Sequence, residues 1–401
     1  MYRFVSGISA QEHDAFVKAT TKCNLLQSAA WGKIKANWKH EIIGVYDGEQ
    51  LVASALALIK PLPLTLSMIY LPRGPIMDFT NKELVTFFFE NTRKWAKKHH
   101  CLFVKCDPSI YHRYNFVDEE ASVPADYEEC VKNFCDAGLN YHGLTPSMDD
   151  TIQPRFHMAV TSDAYSIENF SKKGKKNYKI ALKKHFDTIV CHKDGLKDFT
   201  TCMQATSERK NISLRDEEYY RLLLDVYQDD AYLVLTYLDI QKTYDEACAK
   251  LAQVEKDLEI CPENAKKKRF TLAENKVSYE REVNEFKQYL SEYGPKAVVC
   301  GTLSVCYGNT CEILYAGMDQ SFKRYMGPYL TWSKTMEHSF SKGCTFTNMG
   351  GVENTLKGGL SDFKSIFHPV VVEYAGEFDL PVNRILYALS QYAYQLRKKR
   401  K

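Results

Sequence analysis

The 401-residue sequence lacks the short motifs that identify many enzyme classes. It has no G-x-S-x-G elbow, Walker loop, H-E-x-x-H pair or Rossmann glycine fingerprint, so no serine hydrolase, P-loop enzyme, zinc protease or dinucleotide-dependent enzyme is indicated. Its 13 cysteines are scattered singly, without a C-x-x-C pair or a cysteine–histidine cluster at zinc spacing. Unpaired thiols fit a reducing cytosol, and we expect no metal and no cofactor.

Long apolar runs and a strong net charge are missing as well. The longest apolar run, Leu51 to Ile59, is too short to span a bilayer and predicts a buried strand, and the first residues lack the apolar core of a signal peptide. We therefore expect a cytoplasmic protein, at most peripheral to a membrane. The net charge of +3 does not indicate DNA binding, but basic residues concentrate at Ser171–Lys184 and Leu396–Lys401. These runs are candidates for contact with phosphates or anionic lipid, and a solvated face explains each equally well.

Two stretches of the chain share one pattern of predicted elements. The first contains "EIIGVYDGEQLVASALALI", the helical stretch "NKELVTFFFENTRKWAKKHH" and the strand "CLFVKCDP". The second contains "KAVVCGTLSVCYGNTCEILYAGM", a helical stretch ending in "WSKTMEHSFSKG" and the strand "CTFTNMGG". Asp47-Gly48 and Gly308-Asn309 predict a hairpin turn in each copy. The repeat predicts two related α/β domains.

An arm of different character precedes the second copy, over residues 241–294. Its apolar residues alternate at spacings of three and four on both sides of a break at Pro262, and most other positions are charged. This pattern predicts two amphipathic helices paired as an antiparallel hairpin, with Lys276 interrupting the second seam.

Individual residues suggest a site without defining it. Lys364 follows Phe363 in the glycine-rich segment "NMGGVENTLKGGLSDFKSIFHP", where the backbone can approach a ligand closely. Asp107 ends a predicted strand, where site residues of α/β folds often lie, although aspartate is also a common turn residue there. The turn "RYMGP" (Arg324 to Pro328) is a degraded version of the pyrophosphate turn of acyl-CoA-dependent N-acetyltransferases.

Seven segments, in chain order, resemble the FemABX family of non-ribosomal peptidyltransferases, and most closely its MurM-type members from streptococci. They are "LQSAAWGKIKANWKHE", "MIYLPRGPI", "FVKCDPS", "DTIQPR", "RKNISLRDEEYY", "ILYAGMDQSFKRYMGPYLTW" and "NMGGVENTLKGGLSDFKSIFHPVVVEYAGEFDLP". The resemblance implies an α/β fold of two GNAT-like (acyl-CoA N-acyltransferase-like) domains with an inserted antiparallel coiled-coil hairpin. The expected domains are residues 1–150, completed by a C-terminal helix at 381–401, and residues 151–240 with 295–380; the arm is 241–294.

The resemblance also implies an activity. Such enzymes take serine or alanine from aminoacyl-tRNA and attach it to the side-chain amine of the stem-peptide lysine of lipid II, which starts an interpeptide branch of peptidoglycan. The partners are therefore seryl- or alanyl-tRNA as co-substrate and lipid II at the inner membrane face, and we expect a monomer. Aminolysis of an ester needs orientation and oxyanion stabilisation but no covalent intermediate, which is consistent with the missing nucleophile motif.

Site residues carry over by their motifs. Lys364 and its neighbour Phe363 match the pair that contacts the reacting end of the aminoacyl-tRNA, and Asp107 matches a proposed general base. The positions that match the groove for the lipid II diphosphate and stem peptide are Lys35, Trp38, Arg215, Tyr219 and Tyr315. Candidates for contact with the tRNA backbone are Lys172, Lys173, Lys175 and Lys176.

Two alternatives stay open. A CoA-dependent N-acyltransferase would share the predicted fold, although Pro328 disrupts the pyrophosphate turn. A non-catalytic tRNA-binding or scaffolding protein would use the arm, although a cation in a glycine-framed segment has no purpose there.

Overall fold

The computed structural model describes residues 1–399, with side chains through residue 392, so the last two residues of the basic tail, 400 and 401, lie outside the described residues. Within this range the chain forms sixteen strands: β1 (Tyr2–Ser6), β2 (Lys39–Asp47), β3 (Gln50–Pro61), β4 (Ser67–Leu71), β5 (Ile76–Met77), β6 (Cys101–Cys106), β7 (Tyr111–Phe116), β8 (Asn140–Tyr141), β9 (Phe156–Thr161), β10 (Phe186–Cys191), β11 (Ala231–Asp239), β12 (Lys296–Tyr307), β13 (Thr310–Met318), β14 (Phe346–Gly351), β15 (Val370–Tyr374) and β16 (Phe378–Pro381). The same range holds twelve α-helices: α1 (Ala10–Lys18), α2 (Trp31–Ile34), α3 (Lys82–Lys98), α4 (Tyr127–Asp136), α5 (Lys172–Leu182), α6 (Leu196–Lys210), α7 (Glu217–Tyr227), α8 (Ile240–Ile260), α9 (Lys266–Tyr293), α10 (Gly327–Ser341), α11 (Gly359–Lys364) and α12 (Arg384–Lys399).

The strands form two mixed sheets. The first has the order β1-β2-β3-β4-β6-β16-β8, with β5 beside β3, and the second has the order β10-β11-β12-β13-β14-β9-β15-β7. Each sheet contains one parallel pair, β4 with β6 or β13 with β14. The helix α3 or α10 joins the two strands of each pair, because parallel neighbours need a crossover connection. The predicted α/β class, with two sheet domains and an inserted helical hairpin, is confirmed.

The internal repeat is present, but its register differs from the prediction by one strand. The unit β1-β2-β3-β4-α3-β6 corresponds to β10-β11-β12-β13-α10-β14. The Asp47-Gly48 hairpin between β2 and β3 therefore matches the point between β11 and β12 where the arm is inserted, and not the Gly308-Asn309 hairpin. Both predicted turns form, with φ of +58° at Gly48 and +60° at Gly308. A hairpin sequence specifies only its own turn, so the two similar turns did not reveal that they lie one strand apart in the two domains.

Each sheet receives a strand from the other half of the chain. The strand β7 pairs with β15 in the second sheet, and β16 pairs with β6 and β8 in the first. Buried charges hold the β16 junction, where Lys105 Nζ lies 2.6 Å from Glu377 Oε2 and 2.9 Å from Asp379 Oδ1. On the outer side of β6, α12 packs through Tyr387, whose ring lies 5.4 Å from that of Phe103. The two sheets therefore do not correspond to a single division of the chain near residue 150.

The arm is an antiparallel hairpin of α8 and α9. Lys276 Nζ of α9 lies 3.0 Å from Glu255 Oε1 of α8, and Arg269 Nη1 donates to the Cys261 carbonyl at 2.7 Å near the turn. The basic run at residues 266–269, just after Pro262, begins α9. Phe286 is fully buried among second-sheet residues at the base of the arm. The arm is thus packed onto the second domain, and Lys276 is accommodated in the seam by an ion pair.

One apolar core joins the two domains. It combines Trp31 and Leu56 from the first half with Phe199, Leu233 and Leu303 from the second. Separate cores lie under α3 on the first sheet and under α10 on the second. The two sheets therefore face each other across packed side chains, and residues from both halves meet at this junction. No helix within residues 1–399 is both long and apolar enough to cross a bilayer.

Candidate functional site

The parallel strands β13 and β14 separate part-way along their length. They pair only from Thr310 to Glu312 and from Phe346 to Asn348, although β13 continues to Met318 and β14 to Gly351. Past the Glu312–Asn348 pair, the backbone N–H and C=O groups of the two strands no longer bond to each other. Such a gap offers polar backbone groups that a ligand can use.

Lys364 is held at this gap. It ends the short helix α11, its side chain is 5% exposed, and its Nζ donates to the Gly351 carbonyl at 2.9 Å. The ammonium also lies 5.9 Å from the Trp332 ring. Burial, against the opposing effect of Glu353 and with a smaller contribution from the Lys210 charge, lowers the pKa of Lys364 to about 7. The predicted loop lysine is therefore a desolvated amine at a helix end, and its charge responds to small changes in its surroundings.

Glu353 fixes the segment that carries Lys364. Its carboxylate accepts from the backbone N–H groups of Leu360 and Ser361 at 3.1 and 2.9 Å and from Ser361 Oγ at 2.6 Å. Burial raises the pKa of Glu353, but these hydrogen bonds outweigh burial and bring the pKa to about 2. Gly358 has φ of +149°, and a Cβ there would lie 2.5 Å from Glu353 Oε1. Glycine is therefore required at position 358 because the Glu353 carboxylate, and not a ligand, packs against its backbone.

Phe363 is a packing residue in this conformation. Its half-buried ring lies 5.4 Å from Trp332, 5.7 Å from Tyr329 and 5.5 Å from Phe367. It holds α11 against α10 and so positions the neighbouring Lys364. Its predicted contact with the aminoacyl end of tRNA stays a prediction.

Asp107 lies directly after β6 and is 1% exposed. Its Oδ1 accepts from the backbone N–H of Arg73 at 2.7 Å, and its Oδ2 accepts from the Tyr70 hydroxyl at 3.0 Å. Burial raises the pKa of Asp107 to about 6, while the charge and backbone hydrogen bond of Arg73 lower it. The geometry gives Asp107 a positioning task, the fixing of Arg73; its role as a base stays a prediction.

Arg73 connects the first domain to the second through hydrogen bonds and a stacked ring. Its guanidinium stacks on Tyr374 at 3.6 Å from the ring centre. Its Nη2 donates to the Pro154 carbonyl at 2.7 Å and to His157 Nε2 at 3.2 Å. Burial, with the nearby charges of Arg73 and Lys364, holds the pKa of His157 well below its usual range. His157 is therefore neutral, and its Nε2 accepts from Arg73.

Asn348 joins His157 to the gap. His157 Nδ1 lies 2.9 Å from Asn348 Nδ2 and 3.2 Å from Asn348 Oδ1, and this Oδ1 accepts from the Gly350 backbone N–H at 2.9 Å. Its side chain also hydrogen-bonds Glu312, the last paired residue of β13. Burial raises the pKa of Glu312 to about 7, against the opposing effects of the Asn348 hydrogen bond and the Arg73 charge. One polar network thus joins residues on or directly after β4, β6, β9, β13 and β14, and it ends beside Lys364.

A cavity of about 940 Å³ lies between the domains above this network. Glu312 and Tyr374 line it, together with the aromatic rings of Tyr111 and Tyr114, which lie 5.4 Å apart. Within residues 1–399 no group of three or more histidine, cysteine, aspartate or glutamate side chains is arranged to hold a metal ion. The cavity gives solvent or a substrate access to Glu312.

The residues predicted to bind the diphosphate come together where α2, α7 and β13 meet. Lys35 caps the C-terminus of α2, and burial together with the charge of Arg215 lowers its pKa. Arg215 is exposed, and its guanidinium lies 4.8 Å from the Tyr219 ring; that ring lies 6.1 Å from Tyr315. The positive charges of Lys35 and Arg215 repel each other, so a bound anion that lies between them would be stabilised by both. Trp38 lies just beyond α2 in the same apolar cluster, and Lys60 Nζ is 5.4 Å from its ring.

Comparison with known proteins identifies the family. A model described as the FemAB family matches residues 8–395. The chain belongs to the FemAB family. The aminoacyltransferase FemA of Staphylococcus aureus strain MW2 is 26% identical over 407 aligned residues, which cover 96% of each chain. A FemX crystal structure has the same fold, with a TM-score of 0.75 at 24% identity, over 96% of this chain and 99% of that one.

The four lysines predicted to contact tRNA lie on the first turns of α5 in this FemAB-family fold. Lys172, Lys173 and Lys176 are exposed, and Lys175 is half-buried with its Nζ 3.8 Å from Glu168. The helix begins beside the Lys364 segment, because the Ser171 backbone N–H donates to the Ile366 carbonyl at 2.9 Å. The basic turn and the gap are therefore neighbours.

Four residues of this network were not predicted from the sequence: Arg73, His157, Asn348 and Glu312. One signal was available: Glu312 is a single acid within the otherwise apolar strand β13. The other three carry no local signal, because their partners come from strands far apart in the chain.

Proposed function

We propose that this FemAB-family chain is an aminoacyltransferase of peptidoglycan synthesis. It moves serine or alanine from aminoacyl-tRNA to the side-chain amine of the stem-peptide lysine of lipid II, and so begins an interpeptide branch. The observation that carries the proposal is the buried amine of Lys364 at the gap between β13 and β14. The name of the relative FemA, an aminoacyltransferase, supports the reaction class.

The gap suits ester aminolysis. As the lysine amine of the acceptor attacks the aminoacyl carbonyl, negative charge develops on oxygen, and a cation in a water-poor site stabilises that charge more strongly than a cation in water. Lys364 Nζ already donates to the Gly351 carbonyl, so its position is fixed before the substrate arrives. Bound negative charge would raise the lowered pKa of Lys364 and keep its ammonium protonated through the reaction.

The two substrates approach from different sides in this proposal. Lys35 and Arg215 bind the diphosphate of lipid II, with Tyr219 and Tyr315 beside them, because arginine and lysine are the usual phosphate ligands. The exposed lysines of α5 contact the tRNA backbone and bring the acceptor end to Lys364. Transfer then needs neither cofactor nor metal. The protein works as a cytoplasmic monomer at the inner membrane face, where its basic tail can contact anionic lipid.

A transfer assay read by mass spectrometry tests the proposal. Purified protein is incubated with lysine-containing lipid II and, in separate reactions, with seryl-tRNA, alanyl-tRNA or acetyl-CoA. We expect lipid II to gain the mass of one serine or alanine residue from the charged tRNA alone. Lys364→Met should lose this transfer, whereas Lys357→Met, an exposed lysine of the same segment, should keep it.

Three outcomes contradict the proposal. A mass gain from acetyl-CoA alone would identify a CoA-dependent acyltransferase on this fold. No gain in any reaction would point to another acceptor or to a non-catalytic tRNA-binding protein. Full transfer by Lys364→Met would remove the assigned role of Lys364.

A further inference from the structure

Glu312 borders both the gap and the interdomain cavity. It is the last residue of β13 that pairs with β14, opposite Asn348. The cavity of about 940 Å³ reaches its side chain. The Asn348 side chain links it to the Gly350 N–H, and a Cβ at Gly350 would lie 3.7 Å from Lys364 Nζ. Glu312 is therefore connected both to the cavity and to the backbone segment beside Lys364.

The groups that face Glu312 leave it free to exchange a proton. Arg73 is its nearby cation, but Arg73 is shared with Asp107 and stacked on Tyr374. The remaining facing groups, Tyr374 and Cys23, are neutral near pH 7 because burial raises the pKa of both, that of Tyr374 to about 12 and that of Cys23 to about 11. On the network itself Asn348 carries no charge. Glu312 is thus a half-buried carboxylate with incomplete charge compensation and with access to water.

We infer that Glu312 is the proton acceptor for the attacking amine. This inference rests on the proposed function, in which the acceptor lysine arrives as an ammonium ion and cannot attack until it loses a proton. Glu312 takes that proton, and the freed nitrogen lone pair forms the C–N bond while the carbonyl π electrons move to oxygen beside Lys364. Re-formation of the carbonyl breaks the ester C–O bond, and the ribose oxygen takes a second proton from the same nitrogen. Each turnover therefore releases one proton, which Glu312 passes to water in the cavity.

The test compares acceptors that differ in basicity. Transfer rates are measured from pH 5.5 to 9 with lipid II that carries lysine and with lipid II that carries 4-thialysine, whose amine is a weaker base. For Glu312→Gln we expect kcat with the lysine acceptor to fall about 100- to 10,000-fold near pH 7, the usual contribution of a general base. The loss should be much smaller with 4-thialysine, because more of that amine is already neutral. Asp187→Asn, an exposed carboxylate on the edge strand β10, serves as the control and should behave as wild type.

Each other outcome is decisive. An equal loss with both acceptors, or a loss confined to KM, would give Glu312 a structural or binding role and overturn the inference. An unchanged kcat would overturn it as well. If Glu312→Gln loses its near-ultraviolet circular dichroism, Glu312→Asp takes its place, and its smaller loss must show the same dependence on acceptor. No transfer by the wild-type chain to either acceptor would overturn the proposed function itself, which is a different result.

Discussion

Replacing Lys364 by methionine should stabilise the protein while it abolishes transfer. Burial lowers the pKa of Lys364 from its ordinary 10.5 to about 7. At about 1.4 kcal/mol for each tenfold change in proton affinity, holding the charged form in the fold costs about 5 kcal/mol. Methionine avoids this cost but forfeits the 2.9 Å hydrogen bond to Gly351, worth about 1.5–3 kcal/mol for a charged donor. The expected net gain at pH 6.5 is about 2 kcal/mol or more in the free energy of unfolding.

The pH dependence provides the stricter test. Below pH 7 the lysine is charged in both the folded and the unfolded chain, so the whole cost is present there. Between pH 7 and 10.5 the unfolded chain binds the proton and the folded chain does not, so wild-type stability from this residue rises with pH. The advantage of Lys364→Met should therefore shrink steadily across that interval.

Urea denaturation of wild type and Lys364→Met at pH 6.5, 8 and 9.5 measures this, and Lys357→Met is the control for removal of an exposed lysine. Transfer activity is measured on the same preparations. Destabilisation by Lys364→Met at pH 6.5, or a difference that does not change with pH, would refute the reasoning. Lys364 would then be a fully compensated structural residue rather than a desolvated cation kept for function.

Further predictions concern the supporting residues. Asp107→Ala should lower the free energy of unfolding by about 3–5 kcal/mol, because it leaves the buried Arg73 charge without its carboxylate; a loss under 1 kcal/mol in urea denaturation would contradict this. Phe363→Leu should reduce kcat more than it changes the KM for lipid II, because the ring positions α11; steady-state kinetics showing only a KM effect would exclude that role. Arg215→Ala should raise the KM for lipid II severalfold with little change in Tm, and an unchanged KM would remove it from the diphosphate site. Replacing Lys172, Lys173 and Lys176 of α5 by alanine should flatten the salt dependence of tRNA affinity, and an unchanged slope in filter binding would count against this surface.

Predictions from local sequence succeeded where the structure depends on local sequence. The Asp47-Gly48 and Gly308-Asn309 turns form because glycine supplies a positive φ, whatever packs around it. The arm follows from the three- and four-residue spacing of its apolar positions. The predicted alignment of the two repeats was wrong by one strand. The two hairpin turns lie between strand pairs that are not equivalent in the two sheets, and the residues of a turn do not indicate the position of its strands in a sheet.

Residues close together in the chain specify the α/β class, the helical arm and the position of Lys364 next to Phe363. The burial of Lys364, and its place where β13 and β14 separate, depend instead on the tertiary fold. The fold also connects Asp107, through Arg73 and His157, to Glu312. It places β7 in the second sheet and β16 in the first. The physical reason is that desolvation and charge coupling depend on distance in space, and strands far apart in sequence set those distances.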